Sequence, residues 1–117
     1  MTVKIAGVQM DIAFADAVAN LEKIHDRLKQ TTSAGAELTV FPECTTTGYC
    51  FDAFEEAFEY SQDLQGNSIK QVCEICADLK TSTVFGFLER SDGNRLYNSV
   101  ALDTASGVVG CLSLIHI

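Results

Sequence analysis

The fold is decided by residues 35–44, which read GAELTVFPEC. Within this stretch a short apolar run, residues 38–41, is ended by Pro42, a pattern typical of a buried strand. Gly35 is well placed to stop a preceding helix in a left-handed cap. Glu43 therefore follows the carboxyl end of a predicted strand, which is where open α/β sheets bind their ligands.

The segments before this stretch predict a strand and a helix. Residues 3–10 are mostly apolar and predict a buried strand. Residues 16–34 predict an amphipathic helix, because apolar residues recur at helical spacing. These apolar residues are Val18, Leu21, Ile24 and Leu28. The order strand, helix, strand has a short crossover, which implies that the two strands are parallel.

The segments after the stretch predict a loop with a short helix over 45–65, and then a second amphipathic helix. Asn67 is a candidate cap for that second helix. Its predicted apolar face consists of Ile69, Val72, Ile75, Cys76 and Leu79. An acidic cluster over 52–63 precedes it and is typical of a solvated helix face.

The last third of the chain predicts antiparallel strands. Residues 84–89 and 96–102 form two apolar runs around the turn signal Ser-Asp-Gly-Asn at 91–94. A second turn over 104–107 leads into a strand that begins at Val108. The sequence therefore predicts an α/β fold with a mixed sheet, parallel at its start and antiparallel at its end.

Composition narrows the class of protein. The 117 residues carry a formal net charge of −8, which argues against nucleic-acid and anionic-membrane partners. Gln9 and Asp11 interrupt the first apolar run, so we expect neither a signal peptide nor a membrane span. We therefore expect a cytoplasmic protein whose five cysteines are reduced.

Glu43 is the candidate catalytic residue. Pro42 fixes the backbone as the chain leaves the sheet and aims this carboxylate reproducibly. We expect the carboxylate to be partly shielded from water, which would suit it to accept a proton near neutral pH. Spacing alone leaves two alternatives open, a helix cap and an ordinary loop carboxylate.

Several motifs occur in order and together resemble the nitrilase, or carbon–nitrogen hydrolase, superfamily. The central one is Phe41-Pro42-Glu43 with Gly48-Tyr49, preceded by Gly35, Ala36 and Leu38. The others are Ile5-Ala6-Gly7-Val8-Gln9, Asn20-Leu21, and Gly86 with Arg95-Leu96-Tyr97-Asn98-Ser99.

The resemblance implies part of an α-β-β-α sandwich, in which a mixed sheet has helices packed on one face, and a Glu-Lys-Cys triad acting on a small amide, carbamoyl compound or nitrile. It assigns Glu43 as the general base and makes Tyr49 a candidate for the substrate pocket, with simple packing as the alternative. We expect no cofactor and no metal. We expect the longer protein to be a homo-oligomer.

The other reactive side chains favour structural roles. Cys44 is expected to be a small buried hydrophobe, because adjacent residues on an extended chain point to opposite faces. Cys73 and Cys76 have metal-like spacing, but no second pair or nearby histidine completes a site, so we expect core packing. His25 lies among charged residues of the first helix and is expected to be solvated.

The end of the chain departs from the family pattern. Leu114 stands where the resemblance requires the catalytic lysine, and Leu112–Ile117 equals the translation of CTG TCT CTT ATA CAC ATC, which resembles a sequencing-library adapter. We therefore expect 1–111 to be the amino-terminal part of a hydrolase domain and 112–117 to be a non-native tail, in which His116 carries no function. The alternatives are a lysine-less pseudoenzyme and a small α/β binding module.

Overall fold

The computed structural model describes the backbone of residues 1–116, with side chains through residue 114. The described chain forms one sheet with the strand order β1-β2-β3-β4-β5. Its elements are β1 (Ile5–Gly7), α1 (Ala17–Ser33), β2 (Leu38–Val40), α2 (Phe54–Glu59), α3 (Asn67–Leu79), β3 (Ser82–Ser91), β4 (Arg95–Thr104) and β5 (Gly107–His116). Over these residues, no helix combines the length and the apolarity needed to cross a bilayer.

The sheet is mixed, as the sequence predicts. β1 pairs with β2 and β2 pairs with β3 in parallel, and the remaining two pairings are antiparallel. The β3–β4 hairpin closes at the predicted turn, where Gly93 and Asn94 have φ of +76° and +58°. Left-handed φ at successive turn residues is tolerated best by glycine and asparagine, which explains why these residue types occur here.

α1 forms where the apolar periodicity predicts a helix. The Asp16 side chain accepts a hydrogen bond from the Ala19 N–H at 3.1 Å and thereby caps the first turn. Gly35 follows the last turn with φ +93°, the left-handed conformation expected of it. Val18 was predicted on the buried face but is 71% exposed, because it borders an open groove between α1 and α3. The buried residues of the apolar face are Leu21, Ile24 and Leu28.

α3 also forms as predicted, but its cap differs. Asn67 is the first helical residue rather than the cap, and the cap position is occupied by Gly66. A free backbone N–H group of the first turn, that of Ser68, instead donates a hydrogen bond to Gln62 Oε1 at 2.9 Å. A side chain from the preceding loop thus replaces the expected local cap. The buried or core-packed apolar residues are Ile69, Val72, Ile75, Cys76 and Leu79.

The first strand is shorter and more exposed than the buried strand predicted over 3–10. β1 has three residues, and Ile5 is 60% exposed. β1 lies at the sheet edge with one neighbouring strand, and alternate side chains point away from the helices. The following Val8 and Met10 point toward the helices and pack against the core.

The two faces of the sheet are covered differently. α1 and α3 cover one face, where Phe85, Phe87 and Ala101 join the main core. The short α2 packs on the other face, where Ala57 meets Leu88 in a smaller cluster. The rest of that second face carries apolar side chains that are half-buried or exposed, namely Val40, Val84, Val100, Leu102 and Leu112.

Candidate active site

Glu43 lies three residues beyond the carboxyl end of β2, and its carboxylate is held by Asn98 of β4. The Asn98 Nδ2 group donates a hydrogen bond to Glu43 Oε1. Asn98 itself is buried, so the donor is fixed in place. The expected shielding of Glu43 is wrong for the described chain, where this residue is exposed. The carboxylate oxygen that accepts this hydrogen bond faces Asn98, while the residue as a whole is exposed.

The segment that carries Glu43 lies directly on the backbone of β3. The Gly86 N–H donates to the Pro42 carbonyl at 3.3 Å, and the Thr45 N–H donates to the Gly86 carbonyl at 2.8 Å. A Cβ at residue 86 would come within 2.4 Å of the Cys44 nitrogen. Only glycine therefore permits this approach. The position of Glu43 therefore depends on Gly86, which lies far away in the sequence.

Cys44 is buried beneath this segment, as predicted, but not for the predicted reason. Its φ of +47° is left-handed, so the chain at residues 43 and 44 is not extended. Both side chains consequently reach the same partner: Glu43 accepts from the Asn98 amide nitrogen, and the Cys44 thiol lies 3.8 Å from the Asn98 amide oxygen. Burial, followed by the nearby Glu43 charge, raises the pKa of Cys44 to about 12. A thiol with this pKa stays protonated and is a poor nucleophile.

Tyr49 follows a tight turn at Gly48, where φ is +72°. The Tyr49 side chain is 64% exposed and borders a cavity that also contacts Phe54 and Leu88. Tyr49 is thus outside the buried core, and its role in a substrate pocket stays a prediction. Glu43 and Tyr49 belong to one loop, and Leu88 pairs with Asn98 across β3 and β4.

Asn20 of α1 secures the same loop from the opposite side. Its side chain is fully buried, and its Nδ2 group donates to the carbonyls of Ala13 and Thr46, at 2.8 and 2.9 Å. Its Oδ1 atom accepts from the Ala13 N–H at 2.7 Å. One amide thus ties α1 to the loop that follows Glu43.

The remaining candidates have the structural roles expected of them. His25 is exposed on α1. Cys76 is fully buried in the main core, while Cys73 is partly buried beside it. Burial raises the pKa of both thiols to about 12. Over the described side chains, no group of three or more His, Cys, Asp or Glu residues is arranged to hold a metal ion.

Sequence reasoning did not single out Gly86, Asn98 or Asn20 as site residues. A signal for two of them was present, because pairing β3 with β4 around the turn at 92–94 puts residues 86 and 98 on one face of the sheet. Asn20 gave a weaker signal: it is a polar residue beside the apolar stripe of α1, which ordinarily indicates the solvated side.

One family profile and several known proteins are similar to this chain in sequence. The sequence profile of the family described as "Carbon-nitrogen hydrolase" matches residues 4–113. A protein named nitrilase, from Pyrococcus abyssi, is 34% identical over 116 residues, which cover 98% of this chain and 44% of that protein. A protein named omega-amidase, from Danio rerio, is 26% identical over 106 residues, which cover 91% of this chain and 37% of that protein.

Solved structures show the same fold. The crystal structure of an N-terminal amidase superposes with a TM-score of 0.81 at 21% identity, over 95% of this chain and 27% of that chain. The chain thus spans less than half the length of each of these similar proteins. The profile match over most of its length, together with the shared fold, shows that this chain belongs to the carbon–nitrogen hydrolase family.

Proposed function

We propose that this chain is the amino-terminal part of a hydrolase that cleaves a small non-peptide amide, carbamoyl compound or nitrile, with Glu43 as its general base. The observation that carries the proposal is the hydrogen bond from the buried Asn98 amide to Glu43 Oε1. A carboxylate oriented by a fixed donor beyond the carboxyl end of a parallel strand suits proton transfer to and from a bound substrate.

The proposed mechanism requires two further residues, a lysine and a nucleophilic cysteine, both beyond residue 111. Glu43 takes the proton of the cysteine thiol, and the resulting thiolate attacks the amide carbonyl carbon or the nitrile carbon. With an amide substrate, the carbon–nitrogen bond breaks and the amine leaves with the proton held by Glu43. Glu43 then takes a proton from water, whose oxygen attacks the thioester carbon; the carbon–sulfur bond breaks, the acid is released, and Glu43 returns the proton to the cysteine sulfur. The lysine stabilises the negative oxygen that forms at each attack.

Asn98 has a defined part in this scheme. Because its amide occupies Oε1 of Glu43, the second carboxylate oxygen is left to exchange protons with the nucleophile and with water. Cys44 does not serve as the nucleophile, since its buried thiol has its pKa raised to about 12. Tyr49 contributes to the substrate pocket, which is supported by its exposure at the mouth of the neighbouring cavity.

We further propose that 112–117 is a non-native tail and that the 117-residue chain is inactive by itself. Within 112–116 the backbone pairs with β4, and residue 117 lies outside the described residues. Side chains are described only through residue 114, so the proposal that His116 carries no function rests on the sequence alone.

The decisive experiment is an independent read of the source DNA beyond codon 111. A downstream lysine codon and a cysteine codon are expected, whereas a natural stop codon after Ile117 would favour the pseudoenzyme or the binding module.

The role of Glu43 is tested in the longer protein with Glu43→Gln, which keeps the shape and removes the base. Hydrolysis is expected to fall at least ~10²-fold with little change in stability. Glu37→Gln is the matched control, since Glu37 is exposed just before the opposite end of β2. A Glu43→Gln variant that keeps full activity would contradict the proposal.

Location and assembly complete the proposal. We propose that the longer protein acts in the cytoplasm as a homo-oligomer, without a cofactor. Fractionation of the source cells and light scattering on the purified longer protein test these two points. A membrane-bound fraction or a monodisperse monomer would contradict them.

A further inference from the structure

A cavity of about 330 Å³ opens on the face of the sheet that carries Glu43. Its floor is formed by Ala57 and Leu88, which are 7% and 3% exposed. Its walls are aromatic and include Tyr49, Phe51 and Phe54. Of the described residues that line it, none is basic. The cavity therefore offers an apolar surface with an open mouth.

The floor of this cavity is continuous with the surroundings of Glu43. Ala57 and Leu88 belong to the same buried cluster as Cys44, the residue that follows Glu43. Leu88 also faces Asn98 across the β3–β4 pairing, and Asn98 donates to the Glu43 carboxylate. A molecule whose reacting group meets Glu43 can thus extend its remaining part into the cavity.

Ring contacts hold two of the aromatic wall residues, Phe51 and Phe54, in place. Phe51 lies between Phe14 and Tyr60, with ring centroids at 4.7 and 5.7 Å. Phe54 stacks on Phe58 at 5.8 Å. Side chains that are already ordered lose little conformational entropy when a ligand binds. The cavity is therefore preorganised for an apolar group.

The charge around the cavity disfavours an anionic ligand. Asp52 lines it directly, and α2 carries Glu55 and Glu56 in its first turn. The Glu56 carboxylate accepts from the Asp52 N–H at 3.0 Å, which holds these acidic residues together beside the cavity. A carboxylate entering here would lose hydration and meet negative charge, and no described residue that lines the cavity supplies a cation.

We propose that this cavity receives the apolar substituent of the substrate, so that the enzyme selects amides or nitriles with an aryl or alkyl group over those with a carboxylate. This inference rests on the proposed function, because it assumes that the reacting group of the substrate meets Glu43. An aromatic substituent would stack against Tyr49 and Phe54 at the mouth, while its edge contacts Leu88 on the floor.

The test compares two amides that differ in one substituent. Equilibrium binding of phenylacetamide and of succinamate is measured on the Glu43→Gln variant of the longer protein, in which every residue that lines the cavity is unchanged. Phenylacetamide is expected to bind at least about tenfold more tightly. Tyr49→Lys, which adds a cation at the mouth, is expected to reduce this preference about tenfold by improving succinamate binding.

The control is Val18→Lys, which adds the same charge at an exposed apolar residue outside this cavity and should leave the preference unchanged. Equal or tighter binding of succinamate, no binding of either amide, or the same effect from both lysine variants would overturn the assignment. Hydrolysis by the unsubstituted protein separates the two proposals. If the expected preference is found but neither amide is hydrolysed, the cavity assignment stands and the proposed hydrolysis of such amides is contradicted.

Discussion

Gly86 lies directly beneath Glu43: a Cβ at residue 86 would come within 2.8 Å of the Glu43 Cα and of the Pro42 carbonyl oxygen. Gly86→Ala must therefore push this segment off β3 or distort the strand. We expect a loss of about 1–3 kcal/mol in the free energy of unfolding of the longer protein. Gly7→Ala is the control, because a Cβ there meets no atom within 4 Å. Chemical denaturation measures both, and equal stability of the two variants would contradict the close approach.

The hydrogen bond between Asn98 and Glu43 predicts an effect on the pH profile of the proposed hydrolysis. Asn98→Asp replaces a donor by a second carboxylate, and repulsion between adjacent carboxylates favours keeping one of them protonated. The acid limb of kcat/KM is expected to move to higher pH, and kcat is expected to fall at least about tenfold.

Two further variants distinguish a role of Asn98 in positioning the Glu43 carboxylate from a general effect on the structure. Asn98→Ala lacks the donor without adding charge, so it should lower kcat and move the acid limb to higher pH by less than Asn98→Asp does. Asn94→Asp makes the same chemical change in an exposed turn and should alter neither quantity. If the acid limb of kcat/KM does not move in Asn98→Asp, the proposed contact between Asn98 and the catalytic carboxylate is contradicted.

Asp103 of β4 predicts a pH-dependent stability. This residue is fully buried, and among the described residues neither carboxylate oxygen has a partner at ordinary hydrogen-bond geometry. Burial raises the pKa of Asp103 to about 6, and the neighbouring Cys73 thiol partly opposes this rise. The folded protein therefore binds a proton more tightly than the unfolded chain, so stability falls as the pH rises from about 4 to about 6.

Asp103→Asn removes the titrating group and should flatten this dependence. At pH 7 the variant is expected to be more stable than the unsubstituted protein by up to about 3 kcal/mol, while at pH 4 the two should be similar. Asp78→Asn is the control, because Asp78 is exposed on α3. Denaturant midpoints at the two pH values test this, and a variant that is less stable at pH 7 would show that the carboxylate has a stabilising role.

The uncovered apolar face of the sheet predicts that the isolated 117-residue chain aggregates or lacks a stable tertiary structure. Val40 and Leu112 are exposed on this face, as is Ile5 at the sheet edge. Burying one such side chain contributes about 1.5–3 kcal/mol, so a few left exposed approach the whole stability of a domain. We expect an aggregated or molten chain in size-exclusion chromatography and thermal melting. A monodisperse monomer with a sharp transition would support the autonomous binding module instead.

Periodicity was sufficient to predict most of the elements. α1, α3 and the β3–β4 hairpin form where apolar spacing and turn residues predict them, because these signals are local. The prediction that β1 is buried was wrong, because burial depends on which neighbours a strand has and not on its own composition. The predicted N-cap of α3, Asn67, was wrong for a related reason. Gln62 lies outside the helix, and its side chain accepts the hydrogen bond from the first turn.

The candidate site was predicted in part. Glu43 and Tyr49 stand in one recognisable motif, but their partners come from distant segments. Asn98 reaches Glu43 only through strand pairing, and the left-handed backbone at Cys44 cannot be inferred from residue type. Sequence indicates which residue types could react, whereas long-range contacts determine which atoms meet.

The meander of β3, β4 and β5 has a consequence for the order in which the molecule folds. Its strands are joined by short turns, with Ser91 paired to Arg95 and Thr104 paired to Gly107, so these pairings close small loops. β1 and β2 must instead meet across α1. We expect the meander to form first and to act as the template onto which the segment of Glu43 docks. A chain still emerging from the ribosome must therefore expose residue 98 before Glu43 acquires its hydrogen-bond donor.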